Sequence, residues 1–285
     1  MFSHNDALVG QVYVNHGVLR EALRMRPDTS WRWNPLHRFL LAREWLRHRS
    51  RGYRRIVCIS KSEEEVLARH YPRTQAMTTV ISNGVDTTRF TVPSEAERRD
   101  ARSAIGVGDQ DPLALFVGHE FDRKGLFVVL AALDELQDLR LHVVGGSPAA
   151  IDRARTQTRD RGLSGRVSFA GVGDPRSAYV AADVLVVPSR YEAAPLVLIE
   201  ALSTGVPFVS GTSGIGADLI AQGAPGVACD IEYESVARAV RAMISRRSEE
   251  GRPLSQERCR AVASRYDWTP IARQYVDLAR DVMRR

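Results

Sequence analysis

Short apolar runs alternating with segments of helical spacing set the rhythm of most of the chain. From Pro112 onward, Leu113–Val117, Leu139–Val144, Val167–Ala170, Val184–Val187 and Val206–Val209 each precede a stretch whose apolar positions recur at helical intervals. Buried strands alternating with helices predict a parallel sheet covered on both faces. Ahead of Pro112, Gln11–Asn15, Arg54–Ile59 and Thr78–Ser82 read as strands. Ser60-Lys-Ser-Glu63 has capping-box spacing and opens a helix that reaches Tyr71. Asn83-Gly84 is a turn signal. From Pro35, the apolar residues Leu36, Phe39, Leu40, Trp45 and Leu46 predict an amphipathic helix with proline in its first turn. The polar stretch 91–111 is expected to be a partly helical linker. It separates an N-terminal unit, 1–90, from a doubly wound domain over 112–265. The closing segments Ser255–Arg265 and Trp268–Arg284 read as helices, and 266–285 is expected to pack back toward the N-terminal unit.

Length and composition narrow the class. The chain has 285 residues, 44% hydrophobic and 26% charged, which suits two α/β domains of ordinary size and excludes a disordered or fibrous chain. No apolar run approaches the roughly 18–20 residues that span a bilayer. Met1–Asp6 lacks the basic and apolar regions of a secretory signal. Cys58, Cys229 and Cys259 are too scattered for a disulfide framework or a thiolate zinc site. A soluble cytoplasmic protein is expected. Charge adds one local feature. Between Arg20 and Arg55 eleven arginines face Glu21, Asp28 and Glu44, so 11 − 3 = +8; the whole chain carries +6, and the remainder therefore sums to −2. Trp31, Trp33, Phe39, Trp45 and Tyr53 lie in the same stretch. Residues 20–55 have three readings: contact with an anionic membrane surface, contact with nucleic acid, or a solvated basic face on a helix packed against its own domain. Of the 40 basic residues all but Lys61 and Lys124 are arginine, which draws attention to those two positions.

Two constellations carry chemistry. In Val187-Pro-Ser-Arg-Tyr-Glu192-Ala-Ala-Pro195, a strand ends, a loop presents Glu192, and a helix begins near Pro195 with Glu200 in its second turn. Free N–H groups at that helix start would face an anion beside the strand ends, and two carboxylates there suit recognition of hydroxyls, because each can accept from a vicinal diol. Spacing alone equally describes a surface glutamate and a helix glutamate. In Phe116-Val-Gly118-His-Glu-Phe-Asp-Arg123-Lys124-Gly125, a glycine-flanked loop follows the first strand of the larger domain. Its arginine fork and lysine point charge could hold a diphosphate, or could be two solvated cations at a helix cap.

Taken in order, Asn83-Gly-Val-Asp86 with Phe90, Gly118 through Gly125, Ala182-Asp-Val-Leu-Val-Val-Pro-Ser189, Glu192 with Glu200, and Gly205-Val-Pro207 resemble family 4 of the retaining glycosyltransferases. Arg123-Lys124 and Glu192-Ala-Ala194 resemble its branch that adds hexoses to lipopolysaccharide cores and other cell-surface glycans. The resemblance implies an α/β fold of two facing Rossmann-like domains, the glycosyltransferase B type. The N-terminal domain is expected to be incomplete, by about a hundred residues on the usual domain size. It implies a retaining transfer from a nucleotide-diphosphate-sugar donor to a glycan or lipid-linked acceptor, in cell-envelope or exopolysaccharide synthesis. It implies that Arg123 and Lys124 bind the donor diphosphate and stabilise the leaving group, that Glu192 contacts sugar hydroxyls, and that the backbone of Ala193, Ala194, Pro195 and Leu196 approaches sugar and phosphates. Glu200 would hold the ribose, with Gly118 and Val172 beside the nucleotide and His16 facing the reacting sugar from the other domain. His16 reads equally as a structural residue at a strand end. Where many relatives place arginine directly after the glycine, this chain has His119, so Arg123 is expected to take over that charge. No metal or other cofactor is implied, and nucleic acid is not the partner expected. The implied location is cytoplasmic, peripheral at the inner face of the plasma membrane. Two other readings stand beside it: a nucleotide-sugar-binding module without transferase activity, and a sugar-nucleotide epimerase, against which the Asn83–Asp86 and Glu192/Glu200 set argues.

Overall fold

The computed structural model describes residues 2–4, 10–26, 28–49 and 52–284. Strands β1 (Phe2–His4), β2 (Val12–Asn15), β3 (Arg55–Cys58) and β4 (Thr78–Val80) lie side by side in chain order, all parallel. Helices α1 (Leu19–Arg24), α2 (Pro35–Arg49) and α3 (Lys61–His70) connect them. Strand alternation sorts the side chains into two layers. Tyr13, Ile56 and Cys58 face Leu67 of α3 and Tyr71. Val12, Val14 and Val57 face the opposite way.

Helix α4 (Glu95–Ala104) opens the larger unit. It is followed by β5 (Leu113–Val117), α5 (Phe121–Lys124), α6 (Leu126–Ala132), β6 (Arg140–Val144), α7 (Pro148–Asp160), β7 (Val167–Gly171), α8 (Arg176–Ala181), β8 (Val184–Val187), α9 (Leu196–Ser203), β9 (Phe208–Gly211), α10 (Ile215–Ala221), β10 (Gly226–Cys229), α11 (Tyr233–Glu250), α12 (Arg252–Ala263) and α13 (Trp268–Arg284). Among the described residues these strands form a parallel sheet in the order β10-β9-β8-β5-β6-β7. One face, with Ala114, Phe116, Leu141, Val143, Val184 and Val186, packs on α6, α7 and α11. The other, with Leu115, Leu185, Val187 and Phe208, packs on α8, α9, α10 and α12. Helix α13 leaves this unit: its Ile271 and Val282 complete the layer over Val12, Val14 and Val57 of the first sheet. All three cysteines are buried and free.

Within 91–111, Glu95–Ala104 is a helix with a complete Ser94/Glu97 capping box. Its Arg98 and Arg102, 4% and 1% exposed, reach Asp183 at 2.7 and 3.3 Å, and Arg247 approaches the same carboxylate at 3.8 Å. Arg98 also donates to the carbonyls of Val180, Ala181 and Ala182. Charges buried this deeply persist only when paired and hydrogen-bonded, so the stretch is anchored to the second sheet.

One expectation is reversed. Helix α2 forms from Pro35, but it buries Glu44, Arg47 and His48 and turns Leu36, Phe39, Trp45 and Leu46 outward. The reason lies in its partners. Glu44 accepts hydrogen bonds from the Leu19 and Arg20 N–H groups at the start of α1 and from the Tyr71 hydroxyl. Arg47 donates to the Tyr13 hydroxyl at 2.9 Å.

Candidate active site at the sheet's switch point

Strands β5 and β8 are neighbours, yet the chain leaves β5 toward β6 and β7 and leaves β8 toward β9 and β10. Their following loops diverge and open a crevice at the strand C-termini, the place where ligands bind in sheets of this kind. The two constellations singled out in the sequence sit on these loops. The Lys124 Nζ lies 2.5 Å from Glu192 Oε1. Ser189 Oγ donates to Glu192 Oε2 at 2.8 Å, and Arg123 Nη1 is 3.6 Å from the same Oε1 as Lys124. A Cβ on Gly118 would collide with Lys124 Cδ, so glycine there lets the lysine stem lie across the end of β5. Gly125, with φ +82°, joins α5 to α6 where the Pro188 carbonyl leaves no room for a side chain.

The two cations are not equivalent. Arg123 gives its Nε to Glu120 at 2.8 Å and its Nη1 to the Tyr191 carbonyl at 2.9 Å, so most of its fork is committed to protein. The Lys124 ammonium has three donors and uses one on Glu192. Lys124 is therefore the better placed of the pair to receive an anion.

Helix α9 begins beside them. Its N-cap is Pro195, and no side chain caps its first N–H groups, so the positive end of the helix follows directly on the loop that carries Glu192. Glu200 lies one turn further. Its Oε2 accepts from the buried Tyr179 hydroxyl at 2.8 Å, and burial holds its pKa above the ordinary carboxylate value. Its other oxygen takes no protein donor among the described residues. Leu196 is exposed, and Val172, just past β7, is 74% exposed.

His16 follows β2 in the other unit. It is exposed, its Nε2 lies 3.0 Å from His4 Nδ1, and the two rings stack. Partial burial and the neighbouring His4 lower its pKa. Among the described residues no hydrogen bond or ion pair joins it to the Lys124–Glu192 cluster. The residues after it do touch the same loop: the Val18 N–H donates to the Tyr191 hydroxyl at 2.8 Å. Ala193 is also drawn into this seam, its carbonyl accepting from Ser60 Oγ at 2.8 Å, and Ala194 packs on the first sheet's core.

Three residues of this seam, Asn15, Glu63 and Tyr191, were not marked as site residues by the sequence. The Tyr191 hydroxyl donates to Glu63 Oε2 at 2.9 Å, and Asn15 Nδ2 donates to Glu63 Oε1 at 2.9 Å. The Ser-x-x-Glu spacing did mark a helix start, and Ser60 does cap the Glu63 N–H. The Glu63 carboxylate, however, turns inward to Tyr191 instead of closing the box. Burial raises its pKa to about 7 despite those two hydrogen bonds.

Fold and crevice define a two-unit, doubly wound α/β protein with the Lys124–Glu192 pair at the switch point of its larger sheet. The chain belongs to the glycosyl transferases group 1 family, which matches residues 97–260; Glycosyltransferase Family 4 matches residues 7–89. It is 28% identical over 246 residues to a D-inositol 3-phosphate glycosyltransferase of Corynebacterium kroppenstedtii, covering 81% of this chain and 54% of that protein. The chain thus spans about half the length of the curated relatives it matches. In fold it is similar to WaaG, a glycosyltransferase involved in lipopolysaccharide biosynthesis (TM-score 0.79, 21% identity, 95% of this chain and 75% of that one). It is likewise similar to HepE of Anabaena, solved in complex with UDP (TM-score 0.78, 20% identity, 95% and 72%).

Proposed function

We propose that this protein transfers a sugar, with retention, from a nucleotide-diphosphate sugar to a glycan or lipid-linked acceptor in cell-envelope or exopolysaccharide synthesis. The observation that carries the reading is the Lys124–Glu192 pair at the switch point, set against the uncapped start of α9. The donor diphosphate lies between the Lys124 ammonium and the α9 N–H groups, and Arg123 adds charge from behind. Glu192, held by Lys124 and Ser189, accepts from sugar hydroxyls, and the free oxygen of Glu200 accepts from the ribose. As the bond from the sugar's anomeric carbon to phosphate breaks, its electron pair goes to the phosphate oxygen. The acceptor oxygen bonds that carbon from the same face, and its proton passes to the departing phosphate. Stabilising that charge is the task of the cations, and the reading calls on no metal. It places His16 opposite the sugar and the protein on the cytoplasmic side, at the inner face of the plasma membrane. Among the described residues no helix is long and apolar enough to cross a membrane.

The test is a thermal-shift titration with UDP, GDP, ADP and their sugar conjugates, using wild type, Lys124→Ala and Glu200→Ala. Binding at a hundred times Kd stabilises by about 2.7 kcal/mol. A shift selective for one base and lost in both variants is expected, followed by transfer with that donor. Binding without transfer to any glycan or lipid acceptor would leave a nucleotide-sugar-binding module in its place.

A further inference from the structure

The loop that carries Glu192 is tied to both units at once. The Glu192 side chain points to Lys124 and Ser189, while the residues on either side of it face the starts of α1 and α3. The Tyr191 hydroxyl donates to Glu63 Oε2 and accepts the Val18 N–H. The Ala193 carbonyl accepts from Ser60 Oγ. Both Tyr191 and Ala193 are buried. The start of α3 is itself fixed across the boundary, because Asp218 of α10 accepts the Lys61 N–H at 2.7 Å. From the second unit, Arg123 donates to the Tyr191 carbonyl, and its own carbonyl accepts the Arg190 N–H at 2.9 Å. The Glu192 carbonyl occupies the place that a side chain on Gly214 would need. Residues 190–193 are therefore a bridge with little freedom, and the Glu192 carboxylate takes its position from that bridge.

Glu63 is 1% exposed and forms no ion pair among the described residues. If adhesion between the units were its only task, apolar side chains of the same volume would serve with less desolvation. What a carboxylate adds is direction: its two oxygens hold the Tyr191 hydroxyl and the Asn15 amide at 2.9 Å each. We propose that Glu63 and Tyr191 are positioning residues for the donor sugar, their hydrogen bond setting the Glu192 carboxylate for the sugar hydroxyls. The inference rests on the transferase reading. Contacts to the nucleotide and diphosphate do not pass through this bond: Glu200 is held by Tyr179, and the Lys124 stem by its bed on Gly118. Loss of the bond therefore weakens recognition of the sugar selectively. The bridge needs an acceptor for Tyr191 rather than a charge. In Glu63→Gln the side-chain carbonyl still accepts from Tyr191, and the amide donates to Asn15 Oδ1 once the asparagine amide turns over. That oxygen is buried without a partner among the described residues.

The experiment measures by calorimetry the Kd of a nucleoside diphosphate and of its sugar conjugate on the whole chain. The probes are UDP with UDP-glucose and UDP-galactose, GDP with GDP-mannose, and ADP with ADP-glucose. Wild type is compared with Tyr191→Phe, Glu63→Met, Glu63→Gln, Glu192→Ala and Tyr191→Phe/Glu192→Ala. The quantity read is the ratio of the conjugate's Kd to that of the diphosphate. Tyr191→Phe and Glu63→Met should each raise it about fivefold, the equivalent of one hydrogen bond, with the diphosphate Kd held within about twofold. Glu63→Gln should keep the wild-type ratio. Tyr191→Phe should add nothing in the Glu192→Ala background, because two substitutions that act on one contact are not additive. An unchanged ratio in Tyr191→Phe and Glu63→Met overturns the proposal, whether or not the protein is destabilised, since a merely structural bond would leave the ratio alone. An equal rise from Tyr191→Phe with and without Glu192 overturns it as well, as does a ratio that Glu192→Ala leaves unaltered. A folded wild type that binds no diphosphate defeats the transferase reading and this inference with it; diphosphate binding with an unchanged ratio defeats the inference alone.

Discussion

Substituting Glu63 by glutamine should make the cost of the substitution depend on pH, with a sign and size set by the seam. The folded carboxyl is pushed up to about 7, against an ordinary 4.5, by burial first and by the like charges of Glu44 and Glu21 second. Between those values the folded protein holds a proton that the unfolded chain has released, so this group's contribution to stability falls as pH rises. At about 1.4 kcal/mol per pH unit, the interval from 4.5 to about 7 is worth about 3 kcal/mol. Wild type alone would hide the effect. His48 is pushed down to about 4 from 6.5, by burial first and Arg47 second, and its contribution rises with pH over much of the same interval. The comparison with Glu63→Gln removes His48, because both proteins carry it. Glutamine mimics the protonated carboxyl, so relative to wild type the variant should gain about 2–3 kcal/mol between about pH 5 and pH 8. Urea unfolding of both proteins across that range measures the difference. A stability difference that stays constant with pH would refute the assignment of a protonated Glu63 in the folded state.

Other consequences follow from the same geometry. Tyr191→Phe leaves the buried Val18 N–H and Glu63 each short of a partner and should cost about 1–3 kcal/mol by chemical unfolding; a cost near zero would mean that the seam is open in solution. Asp183→Asn leaves Arg98, Arg102 and Arg247 without their counter-charge. It should destabilise by about 3–5 kcal/mol, a fall in Tm of roughly 10 °C, while nucleotide affinity in the folded protein stays unchanged. Gly118→Ala forces the Lys124 stem away from β5 and should weaken binding of the nucleotide selected in the thermal-shift titration about tenfold, or about 1.4 kcal/mol, with a much smaller change in Tm. An unaltered isotherm for that nucleotide would remove Lys124 from the donor site.

The alternation of strands and helices was legible before any coordinates, and Leu113–Val117 and Val184–Val187 are strands over the ranges their apolar runs indicate. Burial on both faces of a parallel sheet needs a continuous apolar run, which leaves a plain mark in the chain. β10, Gly226-Val-Ala-Cys229, left a weaker mark because glycine and alanine have little apolar surface. Arg123-Lys124 and Glu192 were each marked as candidates for one donor site, but their meeting depends on β5 and β8 being neighbours, which strand order alone decides. Spacing also marked Ser60 as a helix cap, because capping is a local interaction. Where the Glu63 carboxylate points is not local: its partner Tyr191 lies 128 positions away. The inward and outward faces of α2 follow the same division. Composition showed that the segment is basic and aromatic; which side is buried was decided by Tyr13, Tyr71 and the start of α1, whose hydrogen-bonding demands outweigh the burial of Phe39 and Leu46. Periodicity records how much apolar surface a segment has to hide, and the tertiary structure alone decides which polar groups need that place more.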